Sequence, residues 1–283
     1  MALKISIVGA GVMGLDTAMV CAAFGHDVVI LDIDPTVLEN IPSRIKNEFR
    51  LYRMLEPSLK SINVNELLER VKVVSDYQEI EGSDWVIENV KEDLTAKQNV
   101  YERLSSVINE KTYVAANTSC ISITKIGSCL PYSERVIGLH FMNPVALKKC
   151  VEVIKGFHTS DETLEAAQAL LQSINKSAVV VEDYPGFVSN RLSHLFMNEA
   201  AFLVQDGVAS PKDIDKIFKD GYGHAMGPLE TADLIGLDTV VNSLRVLYDS
   251  YQDPKYRCCP LLKKMVDAGH LGKKSGMGFF KYK

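Results

Sequence analysis

No apolar run in this 283-residue chain approaches the roughly 18 residues needed to cross a bilayer, which excludes a helical membrane protein. Positive charge is not in excess. With 31 Lys and Arg against 36 Asp and Glu the net charge is -5, so electrostatics give no reason to expect nucleic acid or an anionic membrane as partner. Cysteine is sparse and scattered. The six lie at positions 21, 120, 129, 150, 258 and 259, with neither a CxxC pair nor a Cys/His zinc spacing, so no metal site is expected. The opening stretch MALKISIVGAG enters a strand pattern at once and has no cleavable signal or Arg/Ser-rich transit character, so a cytoplasmic location with reduced thiols is expected. In that setting the vicinal Cys258-Cys259 pair reads as packing, and the sequon at Asn117 carries no glycan. Internal repeats and low-complexity segments are also missing.

What is present is an ordinary globular composition, 47% apolar and 24% charged, at a length that suits one large core or two smaller ones. Short β-branched runs at 5–8, 28–31, 71–74, 84–87, 112–116, 135–139, 150–154 and 178–181 alternate with helical patterns. Continuous apolar strands of this kind predict a mostly parallel sheet covered on both faces. Pro42 and Pro57 are expected to interrupt or bound the long helical stretch 36–70. After EDYPGF the character changes. An amphipathic helix closes at Gly207, another opens with Ser210 as cap and Pro211 in its first position, and helix continues to about 268. The fold class is therefore α/β, a Rossmann-type domain over 1–183 followed by an all-helical domain over 184–283.

Gly9-Ala10-Gly11-Val12-Met13-Gly14 is a GxGxxG standing between a strand and a helix. Gly9 permits the tight turn, Gly11 lets a pyrophosphate approach the backbone, and Gly14 lets the helix pack on the strand. Free N–H groups and partial positive charge at the helix start then face the phosphates. Asp32 closes the second strand, 21 residues after Gly11, where a carboxylate bonds the adenosine ribose. That carboxylate repels a 2′-phosphate, so NAD is favoured over NADP. His140 and Glu152 stand twelve residues apart in RVIGLHFMNPVALKKCVEVI. Taken alone they read as a satisfied core histidine and a surface glutamate.

The blocks VGAGVMG, DWVIENVKEDLTAK, ANTSCISIT, GLHFMNPV, VEVI, PGFVSNRL, MGPLETADLIGLD, DPKYR and GKKSGMGFFKY follow one another nearly end to end. In this the chain resembles the 3-hydroxyacyl-CoA dehydrogenase family, above all the short bacterial 3-hydroxybutyryl-CoA dehydrogenases. The resemblance implies an NAD-dependent oxidoreductase that interconverts 3-hydroxyacyl and 3-oxoacyl thioesters, with the S alcohol as substrate. It makes His140 the general base and Glu152 the acid that orients it, and it sets Ser119 and Asn190 against the 3-oxygen or the thioester carbonyl. It also implies NAD contacts at Glu92, Lys97, Ser119, Asn143 and Lys274, although Lys97 and Lys274 taken alone read as solvated surface charges, and a helical domain that forms a homodimer.

Departures from the family pattern bear on the acyl carrier. Cys120 replaces a second serine after NTS, and Ala146-Leu147-Lys148 replaces an apolar run after NPV. Glu48 and Leu55 stand where mammalian members place a serine and a lysine against CoA, leaving Arg44, Lys46, Arg50 and Arg53 as alternative phosphate ligands. An acyl carrier protein in polyketide extender-unit synthesis is thus an alternative to CoA, and a catalytically silent NAD-binding protein is a third reading.

Overall fold

The computed structural model describes residues 2–282, and its chain divides into two compact units, Met1–Asp183 and Tyr184–Lys283. The first unit is built on eight strands, all at the β-branched runs: β1 (Lys4–Val8), β2 (Asp27–Leu31), β3 (Val71–Val74), β4 (Trp85–Glu88), β5 (Tyr113–Ala116), β6 (Val136–Phe141), β7 (Cys150–Lys155) and β8 (Ser177–Glu182). They lie in one sheet in the order β3-β2-β1-β4-β5-β6-β7-β8. Every neighbouring pair is parallel except β6 and β7, which form an antiparallel hairpin. Ile5, Ile7, Val86, Ile87, Ala115, Ile137, Leu139 and Val153 are wholly buried, as strands covered on both faces require.

Helices α1 (Val12–Ala23), α2 (Pro35–Leu55), α3 (Val64–Glu69), α4 (Leu94–Leu104), α5 (Ile123–Gly127) and α6 (Asp161–Ser173) join the strands. α2 corrects one expectation, because it runs unbroken through Pro42. Ile41, Ile45, Phe49 and Tyr52 make its buried stripe, while Pro42 lies on the exposed side, where water can take the carbonyl that the ring leaves without a donor. Pro57 does mark a boundary, opening a 3-10 turn after α2 ends.

Among the described residues the second unit is built on α7 (Ser189–Gln205), α8 (Pro211–Lys216), α9 (Pro228–Ile235), α10 (Leu237–Tyr251) and α11 (Pro260–Asp267), with isolated bridges near its end. Gly207 takes a positive φ of 69° just past α7, and Ser210 caps α8 by accepting from the Asp213 N–H. Its core joins Met197, Ala201, Leu237, Val240, Leu244 and Leu262. Buried Asp233 holds the chain end, accepting from the Phe279 and Phe280 amides and the Tyr282 hydroxyl. Cys258 is partly buried, which pushes its thiol up to about 11, and Cys259 is buried. Among the described residues no helix is long and apolar enough to cross a membrane.

Candidate active site

The glycine turn has the shape a dinucleotide needs. Gly9 has φ +96°, and a Cβ there would stand 2.9 Å from the Asn89 carbonyl oxygen. A Cβ on Gly14 would fall 1.9 Å from the Gly9 oxygen, so only glycine lets α1 pack this closely. Around Gly11, in contrast, nothing lies within 4 Å of a built Cβ, which leaves backbone open to an incoming phosphate. No side chain caps α1, and its first turn carries no acid, so its leading N–H groups keep their capacity for an anion. Asp32 braces the turn: its carboxylate accepts the Ala10 N–H at 2.7 Å and the Asp34 N–H at 3.0 Å. A cavity of about 460 Å³ opens between Gly9, Gly11, Asp32, Ile33, Tyr77 and Val100. Those residues fit the adenosine half of NAD.

Farther along the sheet, His140 on β6 and Glu152 on β7 are direct register partners across the antiparallel hairpin. Twelve residues of separation thus become one cross-strand pair, with the His140 Nδ1 2.8 Å from Glu152 Oε2. Both side chains are buried. An ionised carboxylate only accepts, so the Nδ1 proton points at Glu152 and a neutral ring carries its lone pair on Nε2. Ser119 Oγ lies 3.1 Å from that Nε2. Ser119, His140 and Glu152 therefore form a continuous chain, and Glu152 is no surface acid.

One oxygen of Glu92 holds the Ser119 loop, accepting from Thr118 Oγ1 at 2.6 Å and from the Ser119 and Cys120 amides at 2.8 and 2.9 Å. Lys97 of α4 is wholly buried, although its sequence context suggested a solvated charge. Its ammonium donates to both oxygens of Glu88 at 2.8 Å and to the Asn117 carbonyl at 3.2 Å, and it stands 3.8 Å from Glu92. The Tyr101 hydroxyl completes the cluster on Glu88 at 2.6 Å. Burial pushes the Glu88 carboxyl upward against the opposing pull of Lys97. Asn143 sits in the loop between β6 and β7.

In the helical unit, Asn190 lies in the first turn of α7, and its carbonyl stands 3.0 Å from His194 Nδ1. Lys274 there donates to Asp238 at 2.7 Å. Several supporting residues escaped the sequence reading: Glu88, Asn117, Asp16 and Lys176. Asn117 Oδ1 accepts the Phe141 amide at 3.3 Å while its Nδ2 donates to Asn89 at 2.7 Å, tying β5 to β6 beside the histidine. Charges inside apolar stripes of α1 and α4 were the available signal for Asp16 and for the Lys97 cluster.

Residues 4–184 match the family model for the 3-hydroxyacyl-CoA dehydrogenase NAD binding domain, and residues 186–282 match that for the C-terminal domain. A probable 3-hydroxybutyryl-CoA dehydrogenase of Bacillus subtilis is 42% identical over 280 residues, 99% of this chain and 97% of that one. The mitochondrial hydroxyacyl-coenzyme A dehydrogenase of Homo sapiens is 35% identical over 289 residues, 99% and 91% of the two chains. Among solved structures, (S)-3-hydroxybutyryl-CoA dehydrogenase of Ralstonia eutropha superimposes with a TM-score of 0.93 at 37% identity, covering 100% of both chains.

Proposed function

The chain belongs to the 3-hydroxyacyl-CoA dehydrogenase family, an NAD-dependent group acting on the CH–OH of hydroxyacyl thioesters, and on that premise we propose that it interconverts (S)-3-hydroxybutyryl-CoA and acetoacetyl-CoA. The observation that carries this reading is the unbroken Ser119–His140–Glu152 chain on the sheet that holds the dinucleotide turn. NAD, which the Gly9–Gly14 turn and Asp32 would hold, would supply the hydride acceptor for C3. The His140 Nε2 lone pair takes the hydroxyl proton as the hydride leaves, and Glu152 stabilises the imidazolium formed. In the reverse direction the imidazolium returns the proton to the 3-oxygen. Ser119 Oγ holds that oxygen at bonding distance from the ring, Glu92 fixes Ser119, and we assign Asn190 to the thioester end of the substrate. Asn143, Glu92, Lys97 and Lys274 take the cofactor-side roles in this proposal, Lys97 through Glu92 because its own ammonium is enclosed.

CoA is favoured as carrier by a basic cavity of about 810 Å³ along α2, lined by Lys46, Arg50, Arg53 and Lys60 with Phe49 and Asn65. Cations gathered along one groove suit the phosphates of a CoA nucleotide. Arg44 is otherwise engaged, donating to the Ala10 carbonyl at 3.0 Å and pairing with Glu48. Purified protein is expected to oxidise NADH with acetoacetyl-CoA and to do so poorly with NADPH. Faster turnover of an acetoacetyl group on an acyl carrier protein would overturn the choice of carrier, and no turnover of either would leave a silent NAD-binding protein. Asp32→Ser removes the ribose acceptor and the brace on Ala10, so the NADH preference should narrow by about 5- to 10-fold, equivalent to a hydrogen bond of about 1 kcal/mol.

A second copy of this chain is the partner we assign to the helical unit. Leu192, Val208, Ile217, Tyr222 and Leu234 are each more than half exposed there, large apolar side chains that a second copy could cover. Light scattering should read twice the chain mass; a monomer at micromolar concentration would refute the assignment.

A further inference from the structure

Residues 14–22 of α1 are all buried, and one of them is an aspartate. Asp16 has no exposed surface, and its neighbours along the helix are apolar apart from Thr17, whose hydroxyl bonds the Met13 carbonyl. A charge in that setting is costly, and its partners show where it acts. The carboxylate accepts the Tyr52 hydroxyl at 3.0 Å and the backbone N–H of Val145 at 3.1 Å. On the other side of the same residue, Lys176 Nζ donates to the Val145 carbonyl at 2.6 Å, and also to the carbonyls of Ala146 and Lys148 at 3.4 and 2.8 Å. An anion thus holds the N–H of Val145 while a cation holds its C=O. Val145 lies in the loop that joins β6 to β7, two residues after Asn143 and between His140 and Glu152 in the chain.

We propose that Asp16, acting with Lys176 across Val145, is a positioning residue for the dehydrogenase, and that its ionised carboxylate sets the β6–β7 loop and through it the register of the His140–Glu152 pair. The inference rests on the functional reading of that pair. Asp16 lies beyond the dinucleotide fingerprint, which ends at Gly14. The charged and titratable groups facing Asp16 are Tyr52, Arg44 and Glu48 of α2 and Lys176 ahead of β8; Lys176 in turn faces Glu56, Cys21 and Lys149.

Burial pushes the Asp16 carboxyl up to about 6, against the pull of the Tyr52 and Val145 hydrogen bonds. A folded-state pKa above the unfolded one means that the ionised form costs stability, and the contribution present at low pH is lost as pH rises through about 6. The carboxylate is therefore retained at neutral pH against the interest of the fold. Asp16→Asn, of equal size and without the charge, should melt no lower than wild type at pH 8. A residue serving the fold alone would lose stability and activity together.

The test reads initial rates of acetoacetyl-CoA reduction with saturating NADH from pH 8 to 5. In that direction His140 is the proton donor, so acid does not remove a form of it that the reaction needs. Wild type should nevertheless fall below pH 6 as Asp16 takes up a proton and releases the loop. Asp16→Asn should be slower at pH 8 by about tenfold, the cost of a small misplacement, and should lack the acid fall. Tyr52→Phe removes a donor that favours the carboxylate, so its acid fall should move to higher pH; this variant carries the test if the Asn protein does not fold. Hydrogen exchange of the cofactor-free protein, corrected for intrinsic rates, should show residues 142–148 deprotected in Asp16→Asn and in wild type below pH 6. The proposal is overturned by full activity and unaltered loop protection in Asp16→Asn, or by the same acid fall in wild type and both variants. Absence of thioester turnover at every pH would instead sink the functional reading, and the exchange data would still report on the clamp.

Discussion

His140→Gln should cut turnover by roughly 10²–10⁴-fold, the usual contribution of a positioned general base, with NADH affinity little changed. Glutamine keeps much of the imidazole volume and polarity, so the hairpin should survive, but no basic nitrogen remains to take the substrate proton. Glu152→Gln should cost nearly as much, because an amide opposite Nδ1 cannot stabilise the imidazolium and can hold the wrong tautomer toward Ser119. The 2.8 Å contact between directly paired residues is the reason to expect one catalytic unit rather than two. In that case the double variant should lose far less than the product of the single losses. Single-turnover and steady-state rates of the four proteins give the comparison. Multiplicative losses would separate the residues, and full turnover in His140→Gln would return the histidine to a packing role.

The sheet was legible because each strand is a β-branched run bounded by turn residues, and the glycine turn was legible because every glycine in it answers a separate steric demand. Ser119, His140 and Glu152 were visible only through family resemblance. Their meeting depends on one antiparallel pair in an otherwise parallel sheet, and on a register that sets position 140 opposite 152. Spacing along the chain does not encode that register. Pro42 misled because the rule against proline inside a helix is weaker where the lost bond faces water. Lys97 misled for the opposite reason. In α4 the buried positions are Lys97, Tyr101 and Leu104, so the lysine occupies a place in the apolar stripe, and its buried partner Glu88 comes from β4. Asp16 is the same kind of case, a charge within a helix whose every neighbour is inside. What such a charge holds is set by a loop 129 residues away, which local pattern does not reach.

Lys97→Met should destabilise the first unit by about 3–5 kcal/mol at pH 8, the usual cost of leaving one member of a buried ion pair unpartnered. Both side chains of the Lys97–Glu88 pair have no exposed surface, so water cannot replace the missing ammonium. Removing both charges is a different matter. Glu88→Gln with Lys97→Met leaves an amide that Tyr101 and the Val90 N–H can still satisfy, and most of the loss should be recovered. Acid should help the single variant in the same way. Burial already holds the Glu88 carboxyl above its ordinary range, so its neutral form is the one the fold prefers, and losing the cation strengthens that preference. The deficit of Lys97→Met relative to wild type should therefore shrink as pH falls from 8 toward 5, when Glu88 takes up a proton. Urea unfolding of the three proteins at both pH values reads these differences, and a cost under about 1 kcal/mol at pH 8 would show that the pair is not enclosed as described. Turnover supplies the link to the site. The restored double variant still lacks the cation 3.8 Å from Glu92, whose one oxygen holds Thr118, Ser119 and Cys120, so it should remain slower than wild type while folding as well. Equal turnover in the double variant would confine Lys97 to the stability of the sheet.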